Sequence, residues 1–177
     1  MGVSVPGVAF RLLDGRQVAE RGDDDLLAAR AECRVPGDPG AVEYGRQFRV
    51  WRRQPGFALA EAMHGGYLVG YAAGMPLRPS TSWWKDVTTP LPSSLTAEHA
   101  GRTFAVTALM VRAAWRRQGI GTELHCLLLH GRPEERAALS VPAAASAAQH
   151  ALRAWGWDRV ARTPGGLMFL RRIVAES

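Results

Sequence analysis

The segment that most constrains the fold is an apolar run followed at once by arginines and glycines. Residues 103–111 read TFAVTALMV and contain two polar side chains, which is typical of a strand buried on both faces of a sheet. Residues 116–121 read RRQGIG, and leucines follow at 124, 127 and 128, on one side of a helix. The sequence therefore predicts a buried strand, a glycine-rich turn and a helix start in direct succession.

This glycine-rich turn has the chemistry of an anion-binding site. Gly119 and Gly121 carry no Cβ, so the backbone can approach a ligand closely. The first N–H groups of a helix lack partners within the helix, and the helix dipole adds partial positive charge there. With Arg116 and Arg117 beside them, these groups predict a phosphate or diphosphate site. The P-loop pattern is absent, and Leu124 stands where the dinucleotide-binding pattern needs its third glycine.

Patterns along the rest of the chain predict a mixed α/β fold in a single domain over residues 1–177. Strands are predicted at 7–15, 57–63, 67–77 and 136–141, and in a hairpin over 157–173. Helices are predicted in the second half of 16–33, within 38–56, within 119–132, and from Pro142 to 156. Residues 78–102 are rich in proline, serine and threonine, which predicts a long functional excursion within the domain.

The charge balance favours an anionic ligand. The chain has 22 basic and 16 acidic residues, a formal net charge of +6. A phosphorylated cofactor and nucleic acid both fit that charge, but no basic helix with interleaved aromatic residues is present, so no nucleic-acid partner is predicted. No apolar stretch approaches the ~20 residues of a membrane-spanning helix. The two cysteines lack zinc spacing, so we expect no metal site and a reducing, cytoplasmic location.

Val111, Arg116, Gly119 and Gly121 together resemble motif A of the GNAT (GCN5-related N-acetyltransferase) family, V-x-x-x-x-R-x-x-G-[IL]-G. The resemblance covers roughly residues 8–172 and reaches Gly156-Trp157, where the family usually has Gly-Phe. It implies the GNAT fold, a single central mixed sheet of about seven strands flanked by about four helices. It also implies that the sheet is splayed between its fourth strand, 103–111, and its fifth, 136–141.

The resemblance implies an N-acetyltransferase that uses acetyl-CoA or another acyl-CoA as cofactor. The backbone of Leu109, Met110 and Val111 is expected to pair with the pantetheine arm as an added strand does. The thioester is expected between Leu109 and Ser140, and an acceptor amine is expected to attack it directly in a ternary complex, without a covalent enzyme intermediate. The residues expected to hold the diphosphate are Arg116, Arg117, Gln118, Gly119, Ile120, Gly121 and Thr122.

The positions where the family often carries its protic groups hold other residues in this chain. The tyrosine position is Leu152, the asparagine position is Ala145, and the carboxylate position on the fifth strand is Ser140. Three interpretations stay open. Binding and orientation can supply the rate without a dedicated acid; a group elsewhere can serve, with Glu61 in FALAEAM the best candidate base; or the chain is an acyl-CoA-binding sensor or partner protein without turnover.

The acceptor is expected to be a small-molecule amine. Trp83 and Trp84, inside the excursion, are predicted to contact it as a lid. A monomer or a homodimer is expected. The sequence pattern does not identify the amine or the length of the acyl chain.

Overall fold

A computed structural model describes residues 5–173 of the chain. Within that range it contains seven strands and six α-helices. The strands are β1 (Ala9–Asp14), β2 (Ala58–His64), β3 (Tyr67–Pro76), β4 (Thr103–Val111), β5 (Arg136–Pro142), β6 (Asp158–Thr163) and β7 (Gly166–Arg172). The helices are α1 (Gly15–Arg21), α2 (Asp24–Glu32), α3 (Ala41–Trp51), α4 (Ser93–Thr96), α5 (Ile120–Leu129) and α6 (Ser146–Ala154).

The strands form one sheet in the order β1-β2-β3-β4-β5-β7-β6. The pairings of β1 with β2, β2 with β3, β5 with β7 and β6 with β7 are antiparallel, and β4 runs parallel to β5. The predicted mixed α/β fold with a seven-stranded sheet is therefore confirmed. The parallel pairing joins Thr103–Ala105 to Arg136–Ala138 and covers three residue pairs.

The chain divides into two compact units, so the single domain stays a prediction. The described part of the first unit contains the residues up to Arg34, Pro39–Met75 and Val106–His130. The second contains Val35–Asp38, Pro76–Ala105 and the residues from Gly131 onward. β4 contributes its first three residues to the second unit and the others to the first.

The first unit is built on β1, β2 and β3 with the aromatic faces of the helices packed on them. Tyr44 and Phe48 of α3 join Leu59 of β2 and Tyr71 of β3 in one buried cluster. The helix predicted in the second half of 16–33 is α2, and α1 in the first half of this segment was not predicted. Asp14 begins α1 with a reciprocal capping box, and the chain then turns at Gly22, whose φ of 82° ends α1 before α2 begins.

The second unit holds the 78–102 excursion against the end of the sheet. Thr88 donates its backbone N–H to the Arg162 carbonyl at 2.8 Å, and the Arg162 N–H donates to Thr89 Oγ1 at 3.0 Å. These bonds cover β6, which is an edge strand. The prediction that the last helix starts at Pro142 is wrong. Pro142 ends β5, its carbonyl accepts a turn bond from the Ala145 N–H, and α6 starts at Ser146.

Candidate functional site

The last residues of β4 turn one backbone edge away from β3. Arg112, directly after β4, donates its backbone N–H to Val69 of β3 at 2.9 Å. Successive backbone groups along a strand point to alternate edges, so the N–H and C=O of Val111 point away from β3. This is the edge at which the pantetheine arm is expected to pair.

Two side chains border that edge at the Val111 carbonyl. Arg116 Nε donates to the carbonyl oxygen at 2.9 Å, and Cys33 Sγ lies 3.5 Å from it. Burial raises the pKa of the Cys33 thiol, and the nearby Arg116 guanidinium opposes that change. The thiol is therefore protonated near neutral pH and can donate to Val111.

The loop between β4 and α5 is shaped to expose backbone N–H groups. Arg117 and Gly119 both have left-handed backbones, with φ of 63° and 86°, and Gly119 is the N-cap of α5. No side chain caps this helix end, so the first N–H groups of α5, beginning at Ile120, remain available. The exposed Arg117 guanidinium has no partner among residues 5–173. Open N–H groups, a helix N-terminus and an unengaged guanidinium are the groups that a diphosphate requires, so these residues fit the cofactor.

Arg112 is a residue at this site that the sequence reasoning missed. Its buried side chain donates from Nε to the Leu68 carbonyl at 2.8 Å, pairs with Glu32, and lies 4.8 Å from the ring centroid of Tyr67. It thereby ties the end of β4 to the end of α2 and to the β2–β3 hairpin. A charged residue directly after an apolar strand was the available signal.

Glu61 is fully buried on β2 and is paired with two arginines. Arg11 Nε donates to Glu61 Oε1 at 2.9 Å, and Arg21 Nε lies 3.2 Å from Glu61 Oε2. The carboxylate therefore faces guanidinium groups of β1 and α1. Its assignment as the catalytic base stays a prediction.

The two positions where the family often has a tyrosine and a carboxylate differ in burial in this chain. Leu152 on α6 is a buried core residue, and its carbonyl accepts the Trp157 N–H at 3.0 Å. Ser140 on β5 is exposed. The tyrosine position is therefore part of the hydrophobic core, whereas the β5 position is open to a ligand.

The two neighbouring tryptophans of the excursion are placed in different environments. Trp84 donates from Nε1 to Glu98 at 2.9 Å, and its ring lies 5.3 Å from the Arg136 guanidinium. Trp83 instead lines a pocket of about 380 Å³ with Asp86 and Ser140. Their joint role in substrate binding stays a prediction. Of the two, Trp83 lines this pocket and Trp84 does not.

A larger cleft of about 450 Å³ lies at the start of β5 and is lined by charged residues, among them Arg102 and Arg136. Arg102 donates to the carbonyls of Ser94 and Ala97. Arg136 donates to the Leu95 carbonyl and to the carboxylate oxygen Oε1 of Glu98. Both of these guanidinium groups are therefore engaged by the α4 region. Within residues 5–173, no three His, Cys, Asp or Glu side chains are grouped to hold a metal ion. No helix in the same range is long and apolar enough to cross a bilayer.

Comparison with known proteins identifies the class to which this fold and this loop belong. A family model described as the acetyltransferase (GNAT) family matches residues 24–157, well over half of the chain. No curated protein sequence matches the chain significantly.

Solved structures with the same fold include PH1933 from Pyrococcus horikoshii OT3, with a TM-score of 0.64 and 15% identity over 93% of this chain and 98% of that one. The ribosomal-protein-S18-alanine N-acetyltransferase of Escherichia coli has a TM-score of 0.60 and 14% identity, over 96% of each chain. NAA60 of Arabidopsis thaliana in complex with acetyl-CoA has a TM-score of 0.61 and 15% identity, over 94% of this chain and 98% of that one. At these identities the structural likeness shows the fold.

The family model, unlike the structural likeness, also shows which family the chain belongs to. The chain belongs to the acetyltransferase (GNAT) family. The predicted use of acetyl-CoA or another acyl-CoA is confirmed at the level of that family. The individual contacts of the loop with the cofactor stay predictions.

Proposed function

We propose that this protein is an acyl-CoA-dependent N-acetyltransferase that modifies a small-molecule amine. The observation that carries the proposal is the uncapped start of α5, where left-handed Arg117 and Gly119 expose backbone N–H groups beside an unengaged guanidinium. Arg117 to Thr122 would hold the diphosphate, and the outer edge of Leu109–Val111 would bind the pantetheine arm. The two cysteines are unpaired, which supports a cytoplasmic location, and we expect a monomer or homodimer.

When bound, the acyl-CoA supplies a thioester with an electrophilic carbonyl carbon. The neutral acceptor amine attacks that carbon, the C–N bond forms, and the C–S bond breaks to release CoA as the thiol. The amine gives up one proton and the leaving sulfur takes one. The contribution of this chain is binding and orientation of the two reactants, which can supply much of the rate enhancement in a ternary complex.

The core position of Leu152 supports a second candidate function. No side chain from that position can donate a proton to the departing sulfur, and Ala145 carries no protic group either. An acyl-CoA-binding sensor or partner protein without turnover fits these two positions. Release of CoA thiol in the presence of amines separates this candidate from an active enzyme.

The first experiment is calorimetric titration with acetyl-CoA of the wild-type protein and of Gly121→Glu. The added carboxylate would fill the loop and repel the diphosphate, so we expect binding to weaken roughly 100-fold or more, about 3 kcal/mol. Gly40→Glu is a matched control: it also alters a glycine at a helix start, and its Cβ would meet open space. Equal acetyl-CoA affinity in the wild type and a folded Gly121→Glu protein would remove the cofactor site from this loop.

A further inference from the structure

The pocket of about 380 Å³ in the second unit has the composition of a site for an organic cation. Its walls are Trp83 and Asp86 of the excursion, Ser140 of β5, Met168 of β7, and the turn at 163–165 between β6 and β7. A pocket of this size is at the lower end of the range for small-molecule sites.

The excursion wall of this pocket is held in place from both sides. On one side, Trp84 is fixed by Glu98, which also accepts hydrogen bonds from Thr103 and Arg136 at 2.9 Å. On the other, Thr88 and Thr89 are bonded to the backbone of Arg162. Trp83 directly precedes the anchored Trp84, and Asp86 lies between Trp84 and Thr88. The anchored backbone on each side preorganises these two residues for a ligand.

The charge of the pocket is opposite to that of the whole chain. Asp86 is the only ionisable residue among those lining it, and the Asp86 carboxylate has no partner within residues 5–173. In a chain with a net charge of +6, a pocket whose one ionisable lining residue is a carboxylate favours a cationic ligand. An ammonium group would satisfy it.

The side chains that line the pocket beside Asp86 are mainly apolar. Trp83, Pro164 and Met168 present an indole ring, a pyrrolidine ring and a thioether. The buried Nε1 of Trp83 has no hydrogen-bond partner within residues 5–173, so Trp83 is not part of the network that fixes Trp84. An indole ring attracts both apolar groups and organic cations.

We propose that this pocket binds the acceptor, an amine that enters as a primary ammonium ion carrying a compact apolar group and gives one proton to solvent before it attacks the thioester. Asp86 selects the charge, and Trp83, Pro164 and Met168 select the apolar group. Ser140, which also lines the pocket, is the β5 residue that the family resemblance places beside the thioester. The inference rests on the proposed acetyltransferase function and adds the chemical class of the acceptor.

The test measures binding of three probes of similar size by calorimetry: phenethylamine as a cation, 2-phenylethanol as a neutral molecule and 3-phenylpropanoate as an anion. Near neutral pH we expect phenethylamine to bind about fivefold more tightly than 2-phenylethanol, the effect of one exposed ion pair. The preference should disappear in Asp86→Asn. Asp158→Asn, which removes the same charge at the arginine-lined cleft, should retain it.

Three results would overturn the proposal: equal affinity for the three probes, an equal effect of Asp86→Asn and Asp158→Asn, or binding of an alanine-initiated peptide where phenethylamine does not bind. The last result would indicate a protein acceptor. Acetyl-CoA titration of the same samples separates the two proposals. A protein that binds acetyl-CoA and acetylates an amine, but is indifferent to Asp86→Asn, keeps its function and loses this acceptor site.

Discussion

The buried Glu61 carboxylate has a structural role that its sequence context did not indicate. Its two arginine partners differ in exposure, since 60% of the Arg11 side chain faces solvent against 18% of Arg21. A buried carboxylate requires compensating charge, which the two guanidinium groups supply, and Arg21 also pairs with Asp25 at 2.7 Å. The pair therefore stabilises the fold whether or not Glu61 also accepts a proton during catalysis.

We expect Glu61→Gln to lower the free energy of unfolding by roughly 2 kcal/mol, because the neutral amide loses the charge-assisted contacts with Arg11 and Arg21. Urea unfolding measures this loss. Arg11→Gln is the control, and the loss expected there is at most about 1 kcal/mol because Arg11 is largely solvated.

The catalytic prediction for Glu61 needs a separate readout. If Glu61 is the base, kcat with saturating acetyl-CoA falls in Glu61→Gln while the dissociation constant of acetyl-CoA stays the same. Unchanged kcat in a folded Glu61→Gln protein would remove Glu61 from catalysis.

Among the elements, the 78–102 excursion depends most on a buried ionic contact. Only 1% of the Glu98 side chain is exposed, and 12% of that of Arg136. Glu98 Oε1 accepts from Trp84, Thr103 and Arg136, so one oxygen atom joins the excursion to β4 and β5 within the second unit. Shared acceptors of this kind make the contact cooperative.

We expect Glu98→Ala to destabilise the protein by about 3 kcal/mol, because it leaves the largely buried Arg136 charge without its carboxylate counter-ion. The chain has one lysine, the exposed Lys85, which lies inside the excursion. Cleavage by a lysine-specific protease therefore reports opening of this element, and it should accelerate in Glu98→Ala. Glu43→Ala, at an exposed position of α3 where its partner is Arg46, should leave the cleavage rate unchanged.

At the scale of the whole molecule, stability at alkaline pH is tied to one buried phenol. Tyr71 lies in the core of the first unit, and its hydroxyl is 2.9 Å from that of Tyr44. Burial raises the pKa of Tyr71 well above its usual value, and Tyr44 raises it further. A group whose pKa is higher in the folded state stabilises the fold below its unfolded pKa, and that contribution is lost as the pH rises above it.

We therefore expect the free energy of unfolding to fall as the pH rises above about 10, the ordinary pKa of tyrosine. The expected slope from Tyr71 is about 1.4 kcal/mol per pH unit. Urea unfolding at several alkaline pH values measures it, and Tyr71→Phe should remove this part of the slope. The same slope in both proteins would mean that other groups cause the alkaline loss.

The sequence by itself determined the strand, glycine loop and helix start around residues 103–129, and with them the family. Those features depend on neighbouring residues: an apolar run buries a strand, glycine permits left-handed backbone, and a helix start leaves N–H groups open. The seven strands also followed from local patterns and their single sheet from the family resemblance, although the break at Gly22 and the start of α6 did not.

Only the tertiary structure shows which side chains line a pocket and which are bound within the fold. Trp83 and Trp84 are adjacent in sequence, yet one lines a pocket and the other binds Glu98. Arg112 acquires its role from Glu32 and Leu68, both more than forty residues away in the chain. Asp86 becomes informative only when Ser140 and Met168 are seen beside it. Burial, pairing and enclosure are made by segments distant in sequence, and no local pattern encodes them.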